Sequence, residues 1–169
     1  MLLEVNTISN AAVDRLFTLY ADSMNDLQKH FSSFEEMKQA YLQFLTEFAS
    51  SPQQLILVEE IQEEWVSGLR AIEVSPGNWF LEAVETKPNR RRCGYGKMLL
   101  LHTIAYLKDL GMQQITCQIS KTNQESQKLH TGCGFLPTQE PSVDPWGNTD
   151  EHTILYRYCH RSLVYSGKA

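Results

Sequence analysis

The stretch from 54 to 86 constrains the fold more than any other. Three short segments rich in apolar residues lie within it: QLILVEE (54–60), WVSGLRAIEV (65–74) and WFLEAVET (79–86). Each has the length and the β-branched and aromatic content of a strand. Polar residues at 62–64 and the turn sequence SPGN at 75–78 separate them. A parallel crossover needs a dozen or more residues, so links this short allow only antiparallel pairing. The segment therefore predicts a three-stranded meander, around which the other elements must pack.

Those elements follow from periodicity and punctuation. Residues 2–8 read as a short strand. Ser9 or Asn10 caps a helix that runs to about Met24, with Val13, Leu16, Phe17 and Tyr20 on one face. Ser33-x-x-Glu36 fits a capping box, and Phe34, Met37, Tyr41, Phe44, Leu45 and Phe48 give its helix an apolar stripe. Beyond the meander come a helix over 97–111 closed by Gly111, a strand at 113–120, a short helix at 122–134, and a last strand at 152–159. No repeat, low-complexity tract or linker interrupts the order, so residues 1–169 are expected to form one α/β domain around a mixed sheet.

Composition narrows the partners. A net charge of −5 over 169 residues repels a polyanion, so nucleic acid is not expected. No apolar run reaches the roughly 20 residues needed to span a bilayer, and MLLEVNTISN lacks a secretory pattern. A cytoplasmic protein is the expectation, with no membrane partner. Cys93, Cys117, Cys133 and Cys159 are dispersed, with no C-x-x-C pair, which excludes a metal-ligand spacing and leaves four free thiols.

Against the acidic background, NRRRCGYGK (89–97) stands out. It lies between a predicted strand and a predicted helix, where backbone N–H groups and the positive helix end can hold an anion. Gly94 and Gly96 let the backbone approach phosphate oxygens, and the arginines add charge and bidentate donors. A dinucleotide fingerprint would need a glycine where Leu99 stands. A Walker A loop would need a glycine at Arg91 and Ser or Thr at Met98.

What remains, Arg91-x-x-Gly94-x-Gly96, resembles the acyl-CoA pyrophosphate loop of the GNAT superfamily of N-acyltransferases. FLEAVETKPNRRRCGYG is similar to the fourth strand and loop of such enzymes, and LLLHTIAYLKDLG to their third helix. A second motif, NQESQKLHTGCGF, matches the family pattern at Asn123, Leu129, Gly134 and Phe135. The resemblance implies a GNAT-like fold of α/β (α+β) class, with a mixed, mostly antiparallel central sheet flanked by helices on both faces. It also implies an acetyltransferase that uses acetyl-CoA as cosubstrate and no metal.

By the same resemblance, backbone groups of Arg91, Arg92, Cys93, Gly94, Tyr95, Gly96 and Lys97 hold the pyrophosphate. Val84 and Thr86 pair with the pantetheine arm, and Asn123 and Ser126 line the opposite wall. The backbone N–H of Val84 serves as the oxyanion donor. Glu82 interrupts an otherwise apolar strand, and strict alternation puts it on the face of Val84 and Glu85 on the other. It is the candidate base, with a structural salt bridge as the competing reading. His130 stands where relatives carry a tyrosine that protonates the leaving thiolate. It can retain that role, lose it, or be a helix-surface histidine, with Tyr156 and Tyr158 as substitutes.

The resemblance also implies an acceptor pocket between Tyr20, Met24, His30, Phe31 and Tyr41 on one side and Asp144, Trp146 and Asp150 on the other. Acids beside an indole suit a small cationic amine. A homodimer is compatible with the resemblance. The alternative function is a non-catalytic acyl-CoA-binding or regulatory domain.

Overall fold

The computed structural model describes residues 1–159. The predicted meander is present as β2 (Gln54–Ile61), β3 (Glu64–Ser75) and β4 (Asn78–Thr86), preceded by β1 (Leu2–Glu4). Gly77, at φ 77°, turns β3 into β4, a left-handed conformation that favours glycine. Between β1 and β2 lie α1 (Asn10–Leu19), α2 (Ala21–Gln28) and α3 (Phe34–Ala49). After β4 come α4 (Tyr95–Asp109), β5 (Gln114–Ser120), α5 (Gln124–Gly132), β6 (Leu136–Pro137) and β7 (Thr153–Cys159). The strands form one sheet in the order β1-β2-β3-β4-β5-β7-β6. Every pairing is antiparallel except β4 with β5. The sheet is mixed and mostly antiparallel, as expected.

Each face of the sheet buries its own core. On one side Leu69, Leu81, Ile115 and Tyr156 pack with Leu99, Leu100 and Leu107 of α4 and with Phe135. On the other, Ile56, Val58 and Ile72 pack with Val13, Leu16 and Leu19 of α1 and Tyr41, Leu45 and Phe48 of α3. Helices therefore cover both faces.

Three local differences from the sequence reading have physical causes. The first strand stops at Glu4, and only Val5 continues the pairing, donating to the Ile56 carbonyl. The long first helix breaks at Tyr20, whose backbone leaves helical geometry at φ −93°, ψ 30° while its ring is buried. The capping box is offset by one residue. Ser33 Oγ accepts from the Glu36 N–H, but the Glu36 carboxylate reaches Ser32 instead of Ser33. Among the described residues no helix is long and apolar enough to cross a membrane.

The feature that makes the site is a split in the sheet. β4 and β5 run side by side only from Asn78↔Gln114 to Leu81↔Cys117. Beyond that point β5 pairs with β7 alone. β4 is displaced by a bulge, because Arg70 pairs with Glu82 and Gly68 with Glu85, so Ala83 and Val84 together oppose Leu69. Ala83 is held at φ 50°. A bulge bends its strand and adds twist, which swings the end of β4 away from β5.

Candidate functional site

A groove of about 720 Å³ lies beside the displaced end of β4. Its walls are Val84, Glu85 and Thr86 of β4, the loop and first turn at Arg91, Arg92 and 94–97, and Asn123, Glu125, Ser126, Lys128 and Leu129 of α5. The predicted cofactor residues thus converge, with Cys93 the exception. Its thiol is exposed and turns back toward the carbonyl of Arg91 at 3.5 Å, so it belongs to the loop but does not line the groove.

The loop leaves backbone N–H groups free at the start of α4. Arg92 at φ 65° and Gly94 at φ 83° curl the backbone into left-handed geometry, and Gly94 is the N-cap of α4 without a side-chain cap. The first helical bond runs from Met98 N–H to the Gly94 carbonyl. The N–H groups of Tyr95, Gly96 and Lys97 therefore have no partner within the helix. A Cβ on Gly94 would meet nothing within 4 Å, so its requirement is conformational. At Gly96 the requirement is closeness, since a Cβ would lie 3.2 Å from Thr86 Oγ1 and 3.3 Å from Leu129 Cδ2.

The three arginines have separate anchors. Arg90 is bound by Glu64 outside the groove. Arg91 donates from Nε to the Thr86 carbonyl at 3.1 Å and pairs with Asp22 of α2 at 2.7 Å. Arg92 pairs with Glu125 at 2.7 Å. Lys87 donates to the Val66 carbonyl, so alternation turns the backbone groups of Thr86 away from β3 and into the groove. On the far wall Asn123 caps α5 by accepting from the Ser126 N–H at 3.0 Å.

The bulge corrects the expected orientation of the β4 carboxylates. Glu82 and Ala83 both face the α1–α3 side, Val84 packs on the α4 side, and Glu85 returns to the α1–α3 side. Glu82 and Val84 therefore do not share a face, and Glu82 and Glu85 do. Glu82 is locked to Arg70 Nε at 2.7 Å, with the guanidinium lying over Phe44 and Phe48 at 5.1 and 5.8 Å. This is the structural salt bridge, and Glu82 is absent from the groove wall. Glu85 is on that wall, accepts a hydrogen bond from Ser23 Oγ, and has its carboxyl raised above the ordinary range chiefly by burial.

His130 is not a surface histidine: it is 2% exposed and does not border the groove. Its Nδ1 lies 2.8 Å from the Ser126 carbonyl. A carbonyl only accepts, so the proton sits on Nδ1 and Nε2 is left as an acceptor, with no partner among the described residues. Burial holds the imidazole pKa below its usual value, and the ring stands edge-on to Phe135 at 5.3 Å. A neutral imidazole in this tautomer has no proton to give at Nε2. Tyr156 and Tyr158 turn into the α4 core instead of the groove.

Of the expected acceptor wall, Tyr20, Met24 and Tyr41 are buried, and the two tyrosine hydroxyls have no hydrogen-bond partner among the described residues. His30 and Phe31 lie in the turn after α2, their N–H groups bonded to Leu27 and Gln28. Asp144 clasps its own loop through Trp146, Asn148 and Gly147, and Asp150 accepts from the His152 N–H. Trp146 is exposed. Sequence reasoning passed over Glu125 and Lys128, and named Leu129 only as a motif position, not as part of the wall. Their positions on one face of α5 beside Asn123 and Ser126 were the available signal.

Comparison with known proteins agrees with this fold. A model of the acetyltransferase (GNAT) family matches residues 14–135. An acetyltransferase from Streptococcus agalactiae has a similar structure, with TM-score 0.72, 13% identity, and coverage of 95% of this chain and 98% of that one. The Campylobacter jejuni N-acetyltransferase PseH, in complex with acetyl coenzyme A, gives 0.71 at 14% identity and covers 95% and 99%. The PaiA N-acetyltransferase of Thermoplasma acidophilum, in complex with coenzyme A, gives 0.68 at 15% identity with the same coverage. No curated protein sequence matches the chain.

Proposed function

The chain belongs to the acetyltransferase (GNAT) family, and from that premise we propose that it transfers an acetyl group from acetyl-CoA to a primary amine of a small molecule or peptide, by direct attack in a ternary complex. The observation that carries the reading is the opening between β4 and β5, with an uncapped helix N-terminus beside it. An extended pantetheine arm fits such an opening as an added strand, pairing with the Val84 carbonyl and the Thr86 backbone. The pyrophosphate fits the free N–H groups at 95–97. Arg91 and Arg92, now held by single carboxylates on the surface, can turn to the phosphates at little cost. Two of the similar structures hold CoA or acetyl-CoA, which supports the choice of cofactor.

In the reaction, the Val84 N–H stabilises the oxyanion that develops on the thioester carbonyl. A carboxylate on β4 takes the proton that the acceptor must lose, because an alkylammonium has a pKa near 10.4 and cannot attack while protonated. His130 supports α5 through Phe135 and does not act as the acid. A second reading, a binding-only domain, is favoured by that same histidine, since the family's usual acid is missing.

Thiol release separates the two. Incubation with acetyl-CoA and a panel of primary amines should give amine-dependent release of CoA with sequential kinetics. Tight binding of acetyl-CoA without release for any amine would leave the binding-only reading.

A further inference from the structure

We infer that Glu85, and not Glu82, is the carboxylate that receives the acceptor's ammonium and takes its proton, an inference that rests on the acetyl-transfer reading above. The reason lies at Ala83. With regular alternation Glu82 would share a face with Val84 and Glu85 would lie on the other. The bulge gives β4 one extra residue at that point, so Glu82 and Glu85 share the α1–α3 face and Val84 faces α4. Only Glu85 also borders the groove.

The two carboxylates then differ in what they are free to do. Glu82 faces Arg70 across the β3–β4 ladder and is bound to its Nε at 2.7 Å. That guanidinium is enclosed by Phe44, Phe48 and the tyrosines of the neighbouring helices. Withdrawing Glu82 to serve a substrate would leave a largely buried cation unpaired. Glu85 makes one hydrogen bond, from Ser23 Oγ to Oε1. Its Oε2 has no hydrogen-bond partner among the described residues and is not among their buried unpaired atoms, so it is open to a ligand.

The surroundings suit a base. Asp22 and Ser23 of α2, Arg91 of the loop and Arg70 of β3 act on the Glu85 carboxyl, and Tyr20 and Tyr41 face it from the helices above. Burial and Asp22 raise its pKa, while Ser23, Arg91 and Arg70 lower it, with burial the largest influence. Arg91 is the one neighbour with a second duty. Once it turns to the pyrophosphate it leaves Asp22 and Glu85 less compensated, which strengthens the field for an incoming cation.

The proton balance closes. The ammonium gives one proton to Glu85, which passes it to solvent. The freed lone pair forms the C–N bond at the thioester carbonyl, the C–S bond breaks, and its electron pair goes to sulfur. A second nitrogen proton is lost as the amide forms and accounts for the neutral thiol. The third stays in the amide.

The test is carboxyl ¹³C NMR on the full chain labelled at glutamate, with resonances assigned from Glu82→Gln and Glu85→Gln spectra. The protein is saturated with CoA and titrated with n-propylammonium chloride against potassium chloride at equal ionic strength. A bound ammonium should lower the Glu85 pKa by about 1, as an opposite charge within 4–6 Å does, and leave Glu82 unmoved. A response at Glu82, or at neither residue, overturns the inference. CoA binding, followed in the same samples, tests the functional reading separately: its absence would sink both, whereas CoA bound with Glu85 silent would sink this inference alone.

Discussion

The Arg70–Glu82 pair makes a quantitative prediction, because assigning Glu82 a structural role requires it to stabilise the fold. The two groups meet at 2.7 Å with side chains 18% and 21% exposed. Charges about 4 Å apart attract by about 4 kcal/mol at an effective dielectric of 20. Desolvation offsets part of that, and breaking a fully buried pair costs about 3–5 kcal/mol. At this partial exposure Glu82→Gln should cost about 2 kcal/mol, scaled down from the buried-pair range. For a chain of this size that lowers Tm by about 4–8 °C. Arg70→Met should cost more, because it also removes the stacking on Phe44 and Phe48. The assay is urea unfolding of both single variants and the double variant. The cycle should return a coupling of about 2 kcal/mol, well above the roughly 0.5 kcal/mol scatter of independent sites, and Glu82→Gln should keep native affinity for acetyl-CoA. Coupling within that scatter, with acetyl-CoA affinity or turnover lost, would refute the structural assignment.

Gly94→Ala forces a Cβ into left-handed backbone with nothing nearby to clash, so urea unfolding should register a loss of about 1–2 kcal/mol, and Gly94→Asn a smaller one. Gly96→Val crowds Thr86 and Leu129; overpacking of about 1–3 kcal/mol should appear in unfolding, with weakened acetyl-CoA binding by calorimetry. His130 has a folded pKa below the ordinary 6.5, so the unfolded chain takes up a proton that the folded one refuses as pH falls from 6.5 toward the folded value. Stability should decline through that window, and Tm measured against pH should show a flatter acid limb in His130→Leu.

The fold was legible because its signals are local. The meander at 54–86, the glycine turns and the strand-loop-helix order around Gly94 are written in short-range chemistry, and the structure follows them closely. The convergence of these residues on one groove was legible for the same reason. The facing of the β4 carboxylates was not, and Ala83 explains why. A bulge built on glycine leaves a mark in the sequence, but one built on alanine at φ 50° looks like ordinary strand, so alternation counted through it returns the wrong face for Glu85. The arginines illustrate a second limit. Their cluster was obvious, yet their partners Glu64, Asp22 and Glu125 come from segments far off in the chain, which no local pattern records. His130 is a third case. Its substitution for tyrosine was visible, but its burial depends on how α5 docks on Phe135.

On the proposed function, the loop at 91–97 and the opening beside β4 hold acetyl-CoA. The most direct measurement is calorimetric titration with acetyl-CoA, alongside ATP and NAD at the same moderate ionic strength. Binding of acetyl-CoA in the micromolar range, with ATP and NAD much weaker, is the predicted result. No binding of acetyl-CoA, or equal binding of all three, would contradict it.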